Sequence, residues 1–473
     1  MIPLLSFVLP FLFFISFPSR MWNFDGVACA AALELGNPVF LFHSNHLFYG
    51  FLGSLFWKPL FPWALPRALP ALQLFTSLLS AAGLVGLYRI LEKLLSDKGL
   101  ALLTTLCVSV TAVVWVWSVE AQVYALGFLA VSWATYELLR PESPHKWYRV
   151  GALHAAAVLG HIVHVLWIVP ALYWFRKEHL GRKKLRHYLV TLGVGMIVPY
   201  ALVIGFVVDP GHLNDRWLHK WLMGSASLNP NSMFQWHSAG VMGPLLWAAT
   251  ALRVFWGSFW PYQTNVPPWC WFLTALSALV LLVLLGSSFK QKRDARWAFC
   301  MLWLAVYGLF FWTWEPTTEC YRMTDLIPLA MLLALGATTW KERSVRWILL
   351  TLLFATLLPV NLRTRIYPMN DPQRNLIYQN TIDLANRTPS ESIYLTIGGI
   401  TWIYLLYFSG RTAWDLHSFM RDPDRLGREI ARHYSTRPVF IQTYALETDL
   451  VKPWLTHYKL HPLGHSLPWL QLQ

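Results

Sequence analysis

Residues 150–175 read VGALHAAAVLGHIVHVLWIVPALYWF, an apolar run long enough to cross a bilayer, with short basic loops at both ends. Arg140, Lys146 and Arg149 precede or open it; Arg176, Lys177, Arg182, Lys183, Lys184 and Arg186 follow it. Short loops rich in Lys and Arg stay on the cytoplasmic side. A single helix would carry one of these two loops to the outside. Both stay inside if the run is a hairpin of two half-helices turning around Gly160 and His161. Non-helical backbone at that depth survives only beside protein or a water-filled cavity. The hairpin therefore predicts a polar cavity opening from the outer side, in a stretch that carries His154, His161 and His164. The alternative is one ordinary helix that breaks the charge rule on one side.

The rest of the chain has the same character. Of 473 residues, 56% are hydrophobic and 13% are charged, against roughly 25% charged in a soluble domain. Such a composition excludes a disordered chain, a small disulfide scaffold and an ordinary soluble enzyme. Apolar runs at 1–18, 67–92, 99–117, 121–139, 150–175, 188–208, 268–288, 297–314, 324–340 and 346–362 read as membrane segments. The expected fold is an α-helical polytopic membrane protein of about 10–12 membrane segments. Three more short loops are basic: Arg89, Lys93 and Lys98; Lys290, Lys292, Arg293 and Arg296; and Lys341, Arg343 and Arg346. The five loops together hold 19 of the 38 Lys and Arg. The formal net charge of +14 thus orients the chain in an inner, plasma-type membrane and is no argument for a nucleic-acid partner.

Four segments and a tail then face outward: the long loop 19–66, the turn Ser118–Glu120, residues 209–267, the turn Glu315–Arg322, and everything after 362. Within the third, the apolar stretch 241–262 reads as an interfacial or re-entrant helix, with Trp247, Trp256, Trp260 and Tyr262 in the headgroup belt. The expected division is a membrane domain over 1–362 and a small outer domain over 363–473. In the latter, Ser392–Ile397 and Pro438–Thr443 look like short buried strands and Asp424–Tyr434 like a helix, a small α/β unit. The first apolar run has no basic flank and no small-residue cleavage site, so it reads as a retained helix, with the true start possible upstream. Cys29, Cys107, Cys270, Cys300 and Cys320 form no C-x-x-C pair, so neither a disulfide framework nor a zinc site follows.

Acidic residues at the edges of apolar runs are costly and mark functional positions. Asp25, in Trp22-Asn23-Phe24-Asp25-Gly26, is either a presented carboxylate or the N-cap of a helix over 26–35. Glu120 sits in the tightest outward turn, with Gln122 and Tyr124 beside it. Glu315, Glu319 and Arg322 form either a local ion pair or, through Arg322, a phosphate site, because a guanidinium fork suits phosphate oxygens. His43 and His46 are spaced for one face of a helix and could bind metal, although substrate or solvent contacts are the commoner use of such residues. The same holds for His161 and His164.

These pieces resemble the GT-C class of membrane glycosyltransferases, which use lipid-phosphate-linked sugars, and most closely the protein O-mannosyltransferase-like families (glycosyltransferase family 39 and DUF2723). The likeness is carried by Asp25-Gly26 and Asn45-His46-Leu47-Phe48-Tyr49 in the first outer loop, and by Glu120-Ala-Gln-Val-Tyr124-Ala-Leu at the second outer turn. Gly160-His161-Ile-Val-His164 and Glu319-Cys-Tyr-Arg322 add to it. The resemblance implies inverting transfer of a monosaccharide from a polyprenyl-phosphate donor to an acceptor hydroxyl on a glycan, lipid or protein, at the outer membrane face. It implies Asp25 as the catalytic base, Arg322 at the phosphate, and Glu120, His46, Tyr124, His161 and His164 around the substrate. Many relatives carry a second acidic residue next to the base. Here that position is Gly26 and the nearest other carboxylate is Glu34, so the resemblance leaves a divalent metal site open and implies no certain cofactor.

Two other functions fit parts of the sequence. A transporter or lipid flippase would use the same outward cavity, but would show repeated halves and polar groups at the bilayer midplane; no repeat is visible. A haem-handling protein would use the many histidines, but His154, His161 and His164 offer no ligand pair across two spans.

Overall fold

The computed structural model describes residues 1–36, 41–60, 63–206, 242–260, 265–419, 423–434, 436–447, 459–463 and 469–472. Most of the expected outer segment 209–267 lies outside these, as does Tyr262. In chain order the helices of the first half are α1 (Ile2–Ser16), α2 (Phe24–Leu35), α3 (Tyr49–Leu60), α4 (Ala68–Leu95), α5 (Lys98–Ser109), α6 (Ala112–Val119), α7 (Tyr124–Leu139), α8 (Lys146–Gly160), α9 (Ile168–Lys177) and α10 (Arg182–Phe206). There follow α11 (Gly243–Phe255), α12 (Pro268–Ser288), α13 (Ala295–Thr313), α14 (Leu326–Thr338), α15 (Arg343–Asn361), α16 (Leu376–Arg387), α17 (Gly399–Ser409) and α18 (Pro423–Tyr434).

The chain divides into two compact units, one of residues 1–19 and 37–368, the other of residues 20–36 and 369–473. The first unit is a bundle of apolar helices. Among the described residues six helices are long and apolar enough to cross a membrane, or seven if the bent pair α5–α6, kinked by 68°, is one span. The protein is therefore a multi-pass membrane protein. Two runs expected to span form shorter helices: α1 has 15 residues and α7 has 16, each about 24 Å or less at 1.5 Å per residue. The bend between α5 and α6 brings Asn361 into use. Its amide donates to Val110 O at 2.7 Å, a carbonyl freed at the bend, and to Phe255 O at 2.8 Å, at the end of α11.

The run 150–175 breaks. Helix α8 ends at Gly160, His161 is extended, a 3₁₀ turn covers Ile162–Trp167, and α9 starts at Ile168. Trp147, at the start of α8, and Phe175, near the end of α9, have ring centroids 4.5 Å apart, so the chain doubles back on itself. The freed backbone groups find partners. Ile162 N–H donates to Asn45 O at 2.8 Å and Phe48 N–H to Leu159 O at 3.0 Å, so the loop before α3 caps the break. His154, fully buried, bonds Tyr188 Oη at 2.7 Å and His164 O at 2.8 Å. Close approach is possible because position 127 is glycine: a Cβ there would lie 2.2 Å from His164 Nε2.

The expectation that Trp256 and Trp260 sit in the headgroup belt is corrected; Trp247 is half-buried. Trp256 and Trp260 are buried in the protein, and their indole N–H groups donate to Ser277 Oγ at 2.7 Å and Arg253 O at 3.0 Å. Trp247 packs under a guanidinium. A buried indole whose N–H finds an acceptor inside the protein has no need of the interface.

The second unit is a small α/β fold. Its strands are β1 (Ile393–Thr396), β2 (Thr412–Asp415), β3 (Val439–Gln442), β4 (Leu460–Pro462) and β5 (Trp469–Leu472), ordered β2-β1-β3-β5-β4. The first three are parallel, and β5 runs antiparallel between β3 and β4. Ile393, Leu395, Val439 and Ile441 point one way into a core with Leu416, Leu426 and Ile430; Tyr394 and Phe440 point the other way against Leu405 and Trp469. Helix α2 belongs to this unit. It packs on α17, where Phe24 lies against the bare Cα of Gly399, and Tyr407 Oη donates to Glu34 Oε1 at 2.7 Å.

Candidate active site

Asp25 is carried by the second unit; the other residues expected at the site lie in the first. Asp25 is not the N-cap of its helix. That role falls to Asn23, whose Oδ1 accepts from Asp25 N–H at 3.0 Å. The Asp25 carboxylate is left in the first turn with its capping duty taken by a neighbour, and burial pushes its pKa up to about 6. A carboxyl group poised near neutrality is suited to taking a proton.

In the first unit the break at His161 gathers an aromatic cluster. Tyr124 lies 5.6 Å from His161 and 5.4 Å from Tyr321, and His161 lies 5.3 Å from Tyr321, between ring centroids. His164 Nδ1 is 3.3 Å from Tyr307 Oη. His43 and His46 stack at 4.4 Å in the loop that caps the break. Burial holds His46 well below the usual histidine range, with the charges of His43 and His161 acting in the same direction. The structure thus brings His46, Tyr124, His161 and His164 to one place.

Glu120 ends α6 in extended conformation and is 2% exposed. Its Oε1 accepts from Ser19 Oγ. The turn is fixed by α4: Gln73 Nε2 donates to Ser19 O at 2.8 Å and to Val119 O at 3.0 Å, and Ser77 Oγ to Ser118 O at 2.8 Å. The carboxylate is within electrostatic range of Arg365.

Arg322 does not pair with Glu315 or Glu319, which corrects the local ion-pair reading. The 3₁₀ turn Cys320–Asp325 points its Nε at Asp325 Oδ2, three residues on. The guanidinium lies 4.8 Å from the Trp247 ring and 5.9 Å from that of Phe311. Arg322 is 6% exposed and Asp325 2%. The buried Nη1 of Arg322 meets no acceptor among the described residues. Glu319 instead lies near Arg365 and Arg253; burial pushes its pKa up, against the pull of those two cations.

Arg365 was not anticipated from the sequence. A π turn, Leu362–Ile366, follows α15, and such turns recur at functional sites. It lays the Arg365 guanidinium 3.7 Å from the Trp260 ring. Gly257 makes room, since a Cβ there would lie 2.7 Å from Arg365 Cβ. Tyr307, Tyr321 and Asp325 were also missed. Asp325 carried a signal, as an acidic residue inside an apolar run at i+3 from Arg322. Arg365 carried none beyond its position next to Arg363 at the end of the last apolar run.

Among the described residues no three His, Cys, Asp or Glu side chains come close enough together to hold an ion, and His43 and His46 stack ring on ring.

Residues 68–206 match the family model described as dolichyl-phosphate-mannose-protein mannosyltransferase. No curated protein sequence matches the chain. Among solved structures, ArnT from Cupriavidus metallidurans is similar in both its apo and its undecaprenyl-phosphate-bound forms. The TM-scores are 0.66 and 0.63, at 11% identity, covering 98% and 100% of this chain and 97% of ArnT. The oligosaccharyltransferase of Archaeoglobus fulgidus is similar with a TM-score of 0.54 at 12% identity, over 94% of this chain and 70% of that one. Over both units the chain therefore shares the fold of ArnT, a fold of the GT-C type, and the family match falls within it over α4 to α10.

Proposed function

We propose that the protein transfers a monosaccharide from a polyprenyl-phosphate-linked donor to an acceptor hydroxyl, with inversion at the anomeric carbon. The observation that supports this reading is Arg322: a buried guanidinium on the 3₁₀ turn Cys320–Asp325, anchored through Nε, whose Nη1 meets no acceptor among the described residues. A buried donor left without an acceptor is costly, and a lipid phosphate supplies one. ArnT, similar in fold along its whole length, was solved with undecaprenyl phosphate bound, which supports a lipid phosphate as the ligand class.

Asp25 acts as the general base. It takes the proton of the acceptor hydroxyl while that oxygen attacks the anomeric carbon. The bond from the anomeric carbon to the phosphate oxygen breaks, and the polyprenyl phosphate leaves with the electron pair. That leaving group is an anion and needs a cation, not a proton; Arg322 provides it. Glu120, Tyr124, His46, His161 and His164 bind and orient donor and acceptor. The reaction takes place at the extracytoplasmic face of the inner membrane, where the basic-loop rule puts the acidic turns.

The test is Asp25→Asn in membranes supplied with lipid-linked sugar. The expected result is a loss of transfer of about 10²–10⁴-fold. Full transfer by the variant removes Asp25 as the base.

A further inference from the structure

We infer that Asp325 is a positioning residue for Arg322, setting by its length and place the direction in which the guanidinium faces an anion. This rests on the reading of Arg322 as the phosphate-binding residue and adds the group that makes its geometry specific.

Arginine rotates freely about four side-chain bonds, and a long flexible cation recognises a phosphate poorly unless its fork is held. Here two contacts hold it. Asp325 Oδ2 takes the Nε–H side, and the indole of Trp247 lies under the plane at 4.8 Å. An Nε-side contact leaves the far end of the guanidinium for a ligand, and Nη1 is the buried atom without an acceptor among the described residues. Asp325 is itself fixed. It is 2% exposed and closes the 3₁₀ turn that carries Arg322. It also lies within electrostatic range of Tyr307, the residue that bonds His164 at the helix break. The carboxylate therefore stands between the phosphate-facing arginine and the break.

A carboxylate in this place could serve only to balance a buried charge. Charge balance and positioning separate under substitution. Asp325→Glu keeps the charge but adds one methylene and pushes the guanidinium away. Asp325→Asn removes the charge but keeps an oxygen at the same reach for Nε–H. The full-length protein, reconstituted in nanodiscs, is titrated with undecaprenyl phosphate and, separately, with undecaprenol, which has the tail but no phosphate. Positioning predicts that Asp325→Glu binds undecaprenyl phosphate about tenfold more weakly and undecaprenol as wild type does, while Asp325→Asn stays within about threefold of wild type for both. Wild-type phosphate affinity in Asp325→Glu, or an equal loss for both lipids, overturns the inference. If Asp325→Asn does not fold, Asp325→Glu decides alone, because it retains the charge pair. Arg322→Gln separates the two levels. It must weaken undecaprenyl phosphate and spare undecaprenol; if it does not, the phosphate reading of Arg322 falls and the inference falls with it.

Discussion

Asp25 makes the sharpest claim at the scale of one residue. A base works in its ionised form, and burial raises this carboxyl to about 6. Below that pH the group is protonated and cannot accept the hydroxyl proton. The expected profile of kcat/KM is therefore flat above about pH 7 and falls about tenfold per unit below pH 6. A limb near 4, the ordinary aspartate range, would mean that burial does not act on the working enzyme. His154 supports a second prediction. Tyr188→Phe removes the hydroxyl 2.7 Å from its Nδ1 and leaves a fully buried ring nitrogen unmatched, at a cost of about 1–3 kcal/mol. A lower unfolding temperature in detergent, with donor KM unchanged, is the expected result. At this scale the sequence singles out Asp25, Glu120 and Arg322 as candidates, because charge is scarce in an apolar chain. Arg365 is not among them, because Arg363 and Arg365 look alike in sequence and only the π turn decides which of them lies on Trp260.

At the scale of elements, the break in residues 150–175 is the feature on which the aromatic cluster depends. Its two basic flanks announced it, since one helix cannot have both ends on one side. What the sequence could not supply was the cap: the Asn45 and Phe48 backbone pairs come from a loop about a hundred residues earlier, and no local pattern encodes that contact. Gly127→Ala tests the element. The new Cβ would stand 2.2 Å from His164 Nε2, and that ring is held by Tyr307, so the break must shift. A loss of about 1–3 kcal/mol from overpacking and a fall in transfer greater than in Tyr188→Phe are expected. Unchanged transfer in Gly127→Ala would show that the break does not position the site. The tryptophans of 241–262 were misread for a related reason. A Trp-rich apolar stretch suits the interface in composition, but Ser277 and Arg365 give Trp256 and Trp260 interior partners.

At the scale of the whole molecule, the five basic loops predict an orientation by the positive-inside rule. With Lys183 inside and the exposed face of α18 outside, a membrane-impermeant maleimide should label Arg432→Cys in intact cells and Lys183→Cys only after permeabilisation. The reverse pattern would invert the assignment of the reaction to the outer face. The five native cysteines are free thiols, four of them buried, so the variants are best made in a background where Cys29 is serine. The fold class was legible from hydropathy and loop charge together. The grouping of residues 20–36 with the C-terminal unit was not, because a short helix gives no local sign of which unit it packs on. The central claim is the chemistry, and its most direct test is mass spectrometry of lipids from proteoliposomes holding the purified protein, a membrane lipid extract as donor source and a mixed acceptor extract. Wild type is predicted to convert a polyprenyl-phosphate-linked sugar to free polyprenyl phosphate in step with glycosylation of an acceptor, and Asp25→Asn is predicted not to. Donor consumption that is equal in the two proteins, or movement of the intact lipid-linked sugar across the bilayer with no free polyprenyl phosphate formed, would contradict the account.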